Sequence, residues 1–330
     1  MAGGHWTLRG TLFSAVVVWA AVLCAAAAVL GGSLSGQALA DDGRVVVTIK
    51  PIHSLVARVM EGVGTPLLLV DGQASPHSFS LRPSQVQAID KAAVFIRVSE
   101  RLETFTGKLV RSLPDGVKLI TLIDAPGVKV LEQRESGTFD EHDHAEGGGD
   151  HRGDGHSIAD SHIWLDPDNA KAIGSHIAKV LAERFPENAE RLRANAEHLN
   201  AEIDALTKEL EAATLPLRGK PFVVFHDAYQ YFDRRFYLEA VGSITVSPDV
   251  QPSARRIIEL RGKIRELNAV CVFAEPLFQQ RLVAAVIEDS GARAGTLDPE
   301  GLGLAPGPQL YFTLMRNLAL SLKSCLAPST

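Results

Sequence analysis

The stretch PENAERLRANAEHLNAEIDALTKELEAA, Pro186 to Ala213, decides the architecture of this chain. Leu192, Ala196, Leu199, Ile203, Leu206 and Leu210 follow one another at alternating spacings of four and three. That rhythm lays one apolar stripe along a helix and leaves the charged remainder to water. Pro186 suits a first helical turn, where its missing N–H costs nothing. A coiled-coil dimer is the competing reading. Because globular sequence flanks the stripe on both sides, the spacing favours a rigid spacer packed across two lobes of a monomer.

Outward from that helix, short β-branched runs alternate with amphipathic stretches on either side, which is the pattern of parallel α/β architecture. Before it, strands are expected at 45–49, 66–70, 93–98 and 119–123, with helices at 53–62, 84–91 and 101–112. After it, strands are expected at 222–225, 243–246, 270–274 and 294–297, with helices at 254–267, 278–290 and 311–324. The repetition is architectural, without a clear sequence repeat. The expected division is an N-terminal α/β lobe over 41–185, the linker helix over 186–213 and a C-terminal α/β lobe over 214–330.

Residues 1–40 carry a different signal. Arg9 supplies a positive start, the stretch from Thr11 to Gly31 is apolar and uncharged, and Ala38-Leu39-Ala40 is a small-x-small cleavage site. The chain is therefore read as exported, with a cleaved signal peptide. Leu23 before Cys24 does not suit a lipid anchor. Removal of the signal leaves Cys271 and Cys325, an even pair that reads as a disulfide in an oxidising compartment.

Charge is concentrated in one tract. Between Glu135 and Ser157 lie seven acidic residues and one basic, which equals the net −6 of the whole chain. The near-neutral remainder points to neither nucleic acid nor an anionic membrane as a partner. With Gly147-Gly148-Gly149 and few apolar groups, the tract is expected to be a disordered surface loop. Its His142, His144, His151 and His156 are expected to bind metal weakly, as an auxiliary low-affinity loop.

Four residues in separate short motifs carry the chemistry. They are His77 in Ala74-Ser75-Pro76-His77-Ser78, His162 in Ser161-His162-Ile163-Trp164-Leu165-Asp166-Pro167, His226 in Phe225-His226-Asp227, and Asp298 in Thr296-Leu297-Asp298-Pro299. Three imidazoles and a carboxylate suit a borderline divalent ion, zinc before magnesium or calcium. His226 and Asp298 directly follow expected strands, and ligands of open α/β sheets sit beyond the carboxyl ends of strands. His77 lies in a loop after the 66–70 strand, and His162 lies before a helix start at Asp166-Pro167. Two ligands from each lobe then converge on one cleft. His176 and His198 lie on helices and do not qualify, and His53 is explained as a helix-start residue.

The same motifs carry a resemblance. Ala74-Ser75-Pro76-His77 with Leu81-Arg82-Pro83-Ser84, His162-Ile163-Trp164-Leu165-Asp166-Pro167, Phe225-His226-Asp227-Ala228-Tyr229, Phe273-Ala274-Glu275-Pro276 and Thr296-Leu297-Asp298-Pro299 resemble the ZnuA-type periplasmic zinc-binding proteins of ABC importers. The resemblance spans nearly the whole chain after the signal. It implies two α/β lobes joined by a long helix, a zinc ion carried in the cleft and delivery to an ABC-type membrane permease. It implies His77, His162 and His226 as metal ligands and matches Cys271 and Cys325 to the family's disulfide. The acidic His-rich tract resembles the zinc branch rather than the manganese branch. One departure is Pro76, where some zinc members carry an acidic residue. A fourth ligand must then come from Asp298, from water or from a loop residue. Asp298 ranks below the histidines.

Three other readings compete with zinc capture: a manganese-binding transport protein, an adhesin on the same fold and an exported zinc hydrolase. A hydrolase needs a general base beside a metal-bound water. Glu275 is the one tempting base, and its plainer role is to accept a hydrogen bond from a ligand histidine. The chain holds neither an H-E-x-x-H helix nor a G-x-S-x-G elbow.

Overall fold

The structure is a computed structural model that describes residues 44–72, 74–134, 139, 158–245, 252–276 and 280–327, together with Met1 and Gly3. The signal region 4–40 and the histidines of the 135–157 tract lie outside the described residues.

The first sheet contains β1 (Val45–Val47), β2 (Leu67–Leu68), β3 (Val94–Arg97) and β4 (Lys118–Thr121) in the order β2-β1-β3-β4. The second contains β5 (Phe222–His226), β6 (Ala240–Thr245), β7 (Cys271–Ala274) and β8 (Arg293–Thr296) in the order β6-β5-β7-β8. Every pairing is parallel. In each sheet the second strand flanks the first on one side while the third and fourth follow on the other. The architectural repeat read from the sequence is thus a repeat of topology. Val45, Val46, Val47 and Phe222 to Val224 are fully buried, as central parallel strands covered by helices on both faces must be.

Helices α1 (Lys50–Val59), α2 (Pro83–Lys91), α3 (Gly107–Val110) and α4 (Pro167–Arg184) belong with the first sheet. The long helix α5 (Ala189–Thr214, 26 residues) follows a single 3-10 turn at Pro186–Asn188. After it come α6 (Gln230–Phe236), α7 (Ala254–Glu266), α8 (Gln280–Ile287) and α9 (Leu310–Leu326). The stripe of α5 is buried inside the chain itself: it packs on α4 and α1 of the first half and on α9 of the second. Gly174 on α4 explains the close approach, since a Cβ there would lie 2.6 Å from Leu199 Cδ2. Polar contacts finish the seam, with Arg58 of α1 donating to Glu202 and Arg316 of α9 to Glu209. The stripe is therefore intramolecular rather than a coiled-coil seam.

Two local expectations change. Residues 101–112 do not form one helix but a 3-10 turn, Thr104–Thr106, followed by the short α3. The cause is side-chain competition for backbone groups. Glu103 accepts from the Val98 and Ser99 amides, and Ser99 Oγ accepts from the Leu102 amide at 3.0 Å. Helix α1 starts three residues before the expected 53, because Pro51 fits its first turn. His53 therefore lies inside it, with its Nε2 at 3.0 Å from the Pro66 carbonyl.

Cys271 on β7 and Cys325 on α9 form a disulfide across 54 positions, stapling the second sheet to the last helix. Loop closure on that scale restricts the unfolded chain by about 4 kcal/mol. Reduction is expected to lower the melting temperature while zinc titration of the reduced protein stays unchanged. Two reactive thiols in the exported protein, found by thiol assay, would contradict the pairing.

Candidate metal site

His226 is the last residue of β5, and Glu275 directly follows β7. These two strands are the neighbours at which the strand order of the second sheet reverses, the crevice where open α/β sheets place ligands. His162 enters from the first half, one residue before the 3-10 turn Ile163–Leu165 that leads into α4. Ser161 beside it is tied to Ser99, beyond the end of β3, by a 2.9 Å hydroxyl contact. His77 comes from the loop between β2 and α2, where its amide donates to Ser75 Oγ at 3.3 Å.

One potential ligand atom from each of the three rings falls within 4.8 Å of the others. The Nε2 atoms of His162 and His226 are 3.3 Å apart. Behind two of the rings stands a buried carboxylate. Asp160 Oδ1 accepts from His162 Nδ1 at 2.8 Å, and Glu275 accepts from His226 Nδ1 at 2.7 and 2.8 Å. With Nδ1 committed as the donor, the Nε2 lone pair is turned towards the cluster, the usual support of a metal-bound histidine. The third ring has a buried Nε2 without a hydrogen-bond partner among the described residues. A buried polar atom left unpaired is costly, and a metal ion would satisfy it. The donor set therefore fits a zinc-like ion.

Charge reinforces the geometry. Burial, followed by His162, His226 and Arg101 nearby, pushes the His77 ring down to about 2, so it stays neutral with a lone pair to give. For His226 burial disfavours the charged ring. The charge and hydrogen bond of Glu275, helped by Asp227 and Asp160, outweigh it and hold the ring above its ordinary value.

Asp298 is outside this group. Its Oδ1 accepts from the Glu300 and Gly301 amides at 3.1 and 2.8 Å, and it borders a separate cavity beside Leu314. Burial raises its pKa, against the pull of those amides. Glu275 is buried and engaged by His226 and by the Tyr229 hydroxyl at 3.2 Å, which leaves it holding a ring rather than facing a reacting water. Asp160 escaped the sequence reading. Its only sequence signal is a carboxylate two residues before His162, which also lets it accept the His162 amide at 3.0 Å.

Several long-range bonds hold the two sides of the cleft together. Tyr231 of α6 donates its hydroxyl to the Asp160 carbonyl at 2.8 Å and accepts from the Leu131 amide at 3.0 Å. Arg134 donates through Nε to both oxygens of Asp227, the neighbour of His226, at 3.0 and 2.9 Å. Its guanidinium lies 3.5 Å from the centre of the Phe139 ring. Trp164, whose ring centre is 5.4 Å from that of His162, donates its indole N–H to the Pro299 carbonyl at 2.9 Å.

Two parallel sheets joined through one long helix, with ligand-bearing loops at the carboxyl ends of their strands, define a two-lobe solute-binding protein. The family described as zinc-uptake complex component A, periplasmic (ZnuA), matches residues 45–325, and the chain belongs to that family. A high-affinity zinc uptake system protein ZnuA from Brucella suis biovar 1 is 44% identical over 321 residues, covering 90% of this chain and 94% of the relative. A crystal structure of ZnuA matches with a TM-score of 0.71 at 26% identity, over 86% of this chain and 98% of the other. A zinc-bound crystal structure of a ZnuA deletion mutant, 138–173 in that protein's numbering, matches with a TM-score of 0.70 at 25% identity, over 87% and 98%.

Glu275→Gln and Asp160→Asn keep the size of each side chain but weaken its hold on the ring. Each is expected to weaken zinc binding about 10- to 100-fold without unfolding the protein, as measured by competition with a chelator. Wild-type affinity in both variants would remove the carboxylates from the site.

Proposed function

We propose that this chain captures zinc in the periplasm and delivers it to an ABC-type permease. In this reading the ion is bound by His77, His162 and His226 in a cleft between two lobes. The observation that carries it is the convergence of three imidazoles, two of them aimed by buried carboxylates. Family membership supports the cargo, the compartment and the permease. The proposed organisation is a cleaved signal over 1–40, lobes over 41–185 and 214–330, and the linker helix 186–213 between them, with the protein acting as a monomer. The Cys271–Cys325 disulfide suits an oxidising compartment. The 135–157 tract, with His142, His144, His151 and His156, is proposed as a weak auxiliary collector.

Elemental analysis of the purified protein should find one tightly held zinc per chain. His77→Ala, His162→Ala and His226→Ala should each weaken that binding severely, because the remaining ligands cannot rebuild the tetrahedron. Deletion of residues 137–155 should remove only weaker zinc equivalents. Wild-type affinity in any histidine variant excludes that residue, and loss of the tight zinc on deletion makes the tract a primary ligand source.

The fourth position is assigned to an exchangeable ligand, water in the simplest case, with Asp298 acting at one remove. Its carboxylate oxygen is engaged by two backbone amides, which supports this assignment over direct coordination. Asp298→Ala should then cost about 10- to 100-fold in zinc affinity, a supporting-residue effect. A loss as large as that of a histidine variant would make Asp298 a direct ligand. Zinc should outcompete manganese, whose preference for oxygen donors three imidazoles serve poorly.

A further inference from the structure

The space in front of the three imidazoles carries a cation that zinc capture by histidine alone does not use. A cavity of about 520 Å³ is bordered by His77, His162 and His226 and also by Arg101, Gln133 and Thr104. Arg101 follows β3 and, though exposed, donates through Nη2 to Gln133 Oε1 at 2.8 Å, which ties the two side chains together. Glu100 next to it does not neutralise it, since its carboxylate faces Arg97 at 3.7 Å and Arg111 at 3.8 Å. Asp160 also borders the cavity; its Oδ1 is taken up by the amide and ring of His162, and its Oδ2 is buried without a hydrogen-bond partner among the described residues. Among the described residues Arg101 forms no ion pair.

Three neutral imidazoles bring no charged ligand to a zinc ion and leave room for a fourth ligand. The cavity they border also counts a guanidinium among its lining groups. A guanidinium presents a planar fork of N–H donors that matches a planar carboxylate-like group. Because Gln133 uses Oε1 to accept from Arg101, its amide N–H groups remain as donors on the same wall.

We propose that zinc in this site takes a small planar oxyanion, of the carboxylate or bicarbonate class, as its exchangeable fourth ligand, with Arg101 and Gln133 as the anion's contacts on the protein. This inference rests on the three-histidine reading above. It gives the cavity a chemical role: the anion fills the fourth position and leaves with the ion, so the protein need not supply a fourth, permanent ligand.

Cobalt(II) tests this, because its visible absorption bands report the ligands of a zinc site. The full mature protein loaded with cobalt is titrated at constant ionic strength with acetate and with bicarbonate, perchlorate serving as a weakly coordinating control. The expected result is a saturable band shift with acetate or bicarbonate and none with perchlorate. In Arg101→Gln the apparent anion affinity should fall roughly ten-fold or more, the scale of a hydrogen bond to a charged group. Arg101→Lys, which restores the charge but not the fork, should recover part of it. A response to one anion alone identifies which source the site accepts. Bands unmoved by both anions, or equal anion affinity in the wild type and Arg101→Gln, overturn the proposal. Metal content is measured in every sample. Failure of the wild type to bind cobalt would instead sink the three-histidine site, and the anion with it.

Discussion

Everything in the cleft depends on two carboxylate–imidazole hydrogen bonds, Asp160 to His162 and Glu275 to His226. Rings packed as closely as these could turn either nitrogen inwards. A buried carboxylate can only accept, so it fixes Nδ1 as the donor and leaves Nε2 as the free base. The same bonds stop the rings from rotating. They leave two buried histidines with their Nε2 atoms turned towards one another, the arrangement that the proposed metal site requires.

Those carboxylates are in turn held by bonds that cross from one half of the chain to the other. Asp160 is on the first half, yet its carbonyl accepts from Tyr231 of α6 in the second. Arg134, before the acidic tract, braces Asp227 beside His226. Lys50, at the start of α1, donates to the carbonyls of Leu302 and Leu304 at 2.9 and 3.1 Å, and Trp164 reaches Pro299. Each bond satisfies a buried polar group that would otherwise be costly to leave unpaired. Their joint effect is to tie the segment that carries His162 to the end of β5 that carries His226. Helix α5, packed on both halves, keeps that relation fixed at longer range.

Much of this was legible in the residues. The apolar stripe of α5 is periodic because one face is buried along its whole length, so spacing alone exposes it. The central strands were visible as apolar, largely β-branched runs because they are buried on both faces. The three histidines stood out because each lies in its own short motif in or at the edge of a loop. What spacing could not reveal depends on contacts between distant positions. Asp160 reads like any acidic residue until Tyr231 and His162 are brought to it. The 101–112 stretch has helical composition, and it broke because Glu103 and Ser99 capture amides from outside that pattern. Arg101 looks like a solvated charge in sequence, and only the cavity shows what it faces.

The charge arrangement explains why such a cleft can both hold and release an ion. On the proposed reading, Asp160 and Glu275 supply negative charge to a divalent ion through the imidazoles they bond. Direct oxygen ligands would bind harder ions as well and would have to be stripped away at delivery. Charge supplied through a ring stabilises the bound ion without adding a bond that must break. Asp227 would add a further buried negative charge beside His226, and Arg134 offsets it. Arg101 borders the same cavity as the rings, and a positive group there disfavours an approaching cation but favours one accompanied by an anion. On the proposed reading, selectivity lies with three nitrogen donors and ease of release with the one position left to an exchangeable ligand.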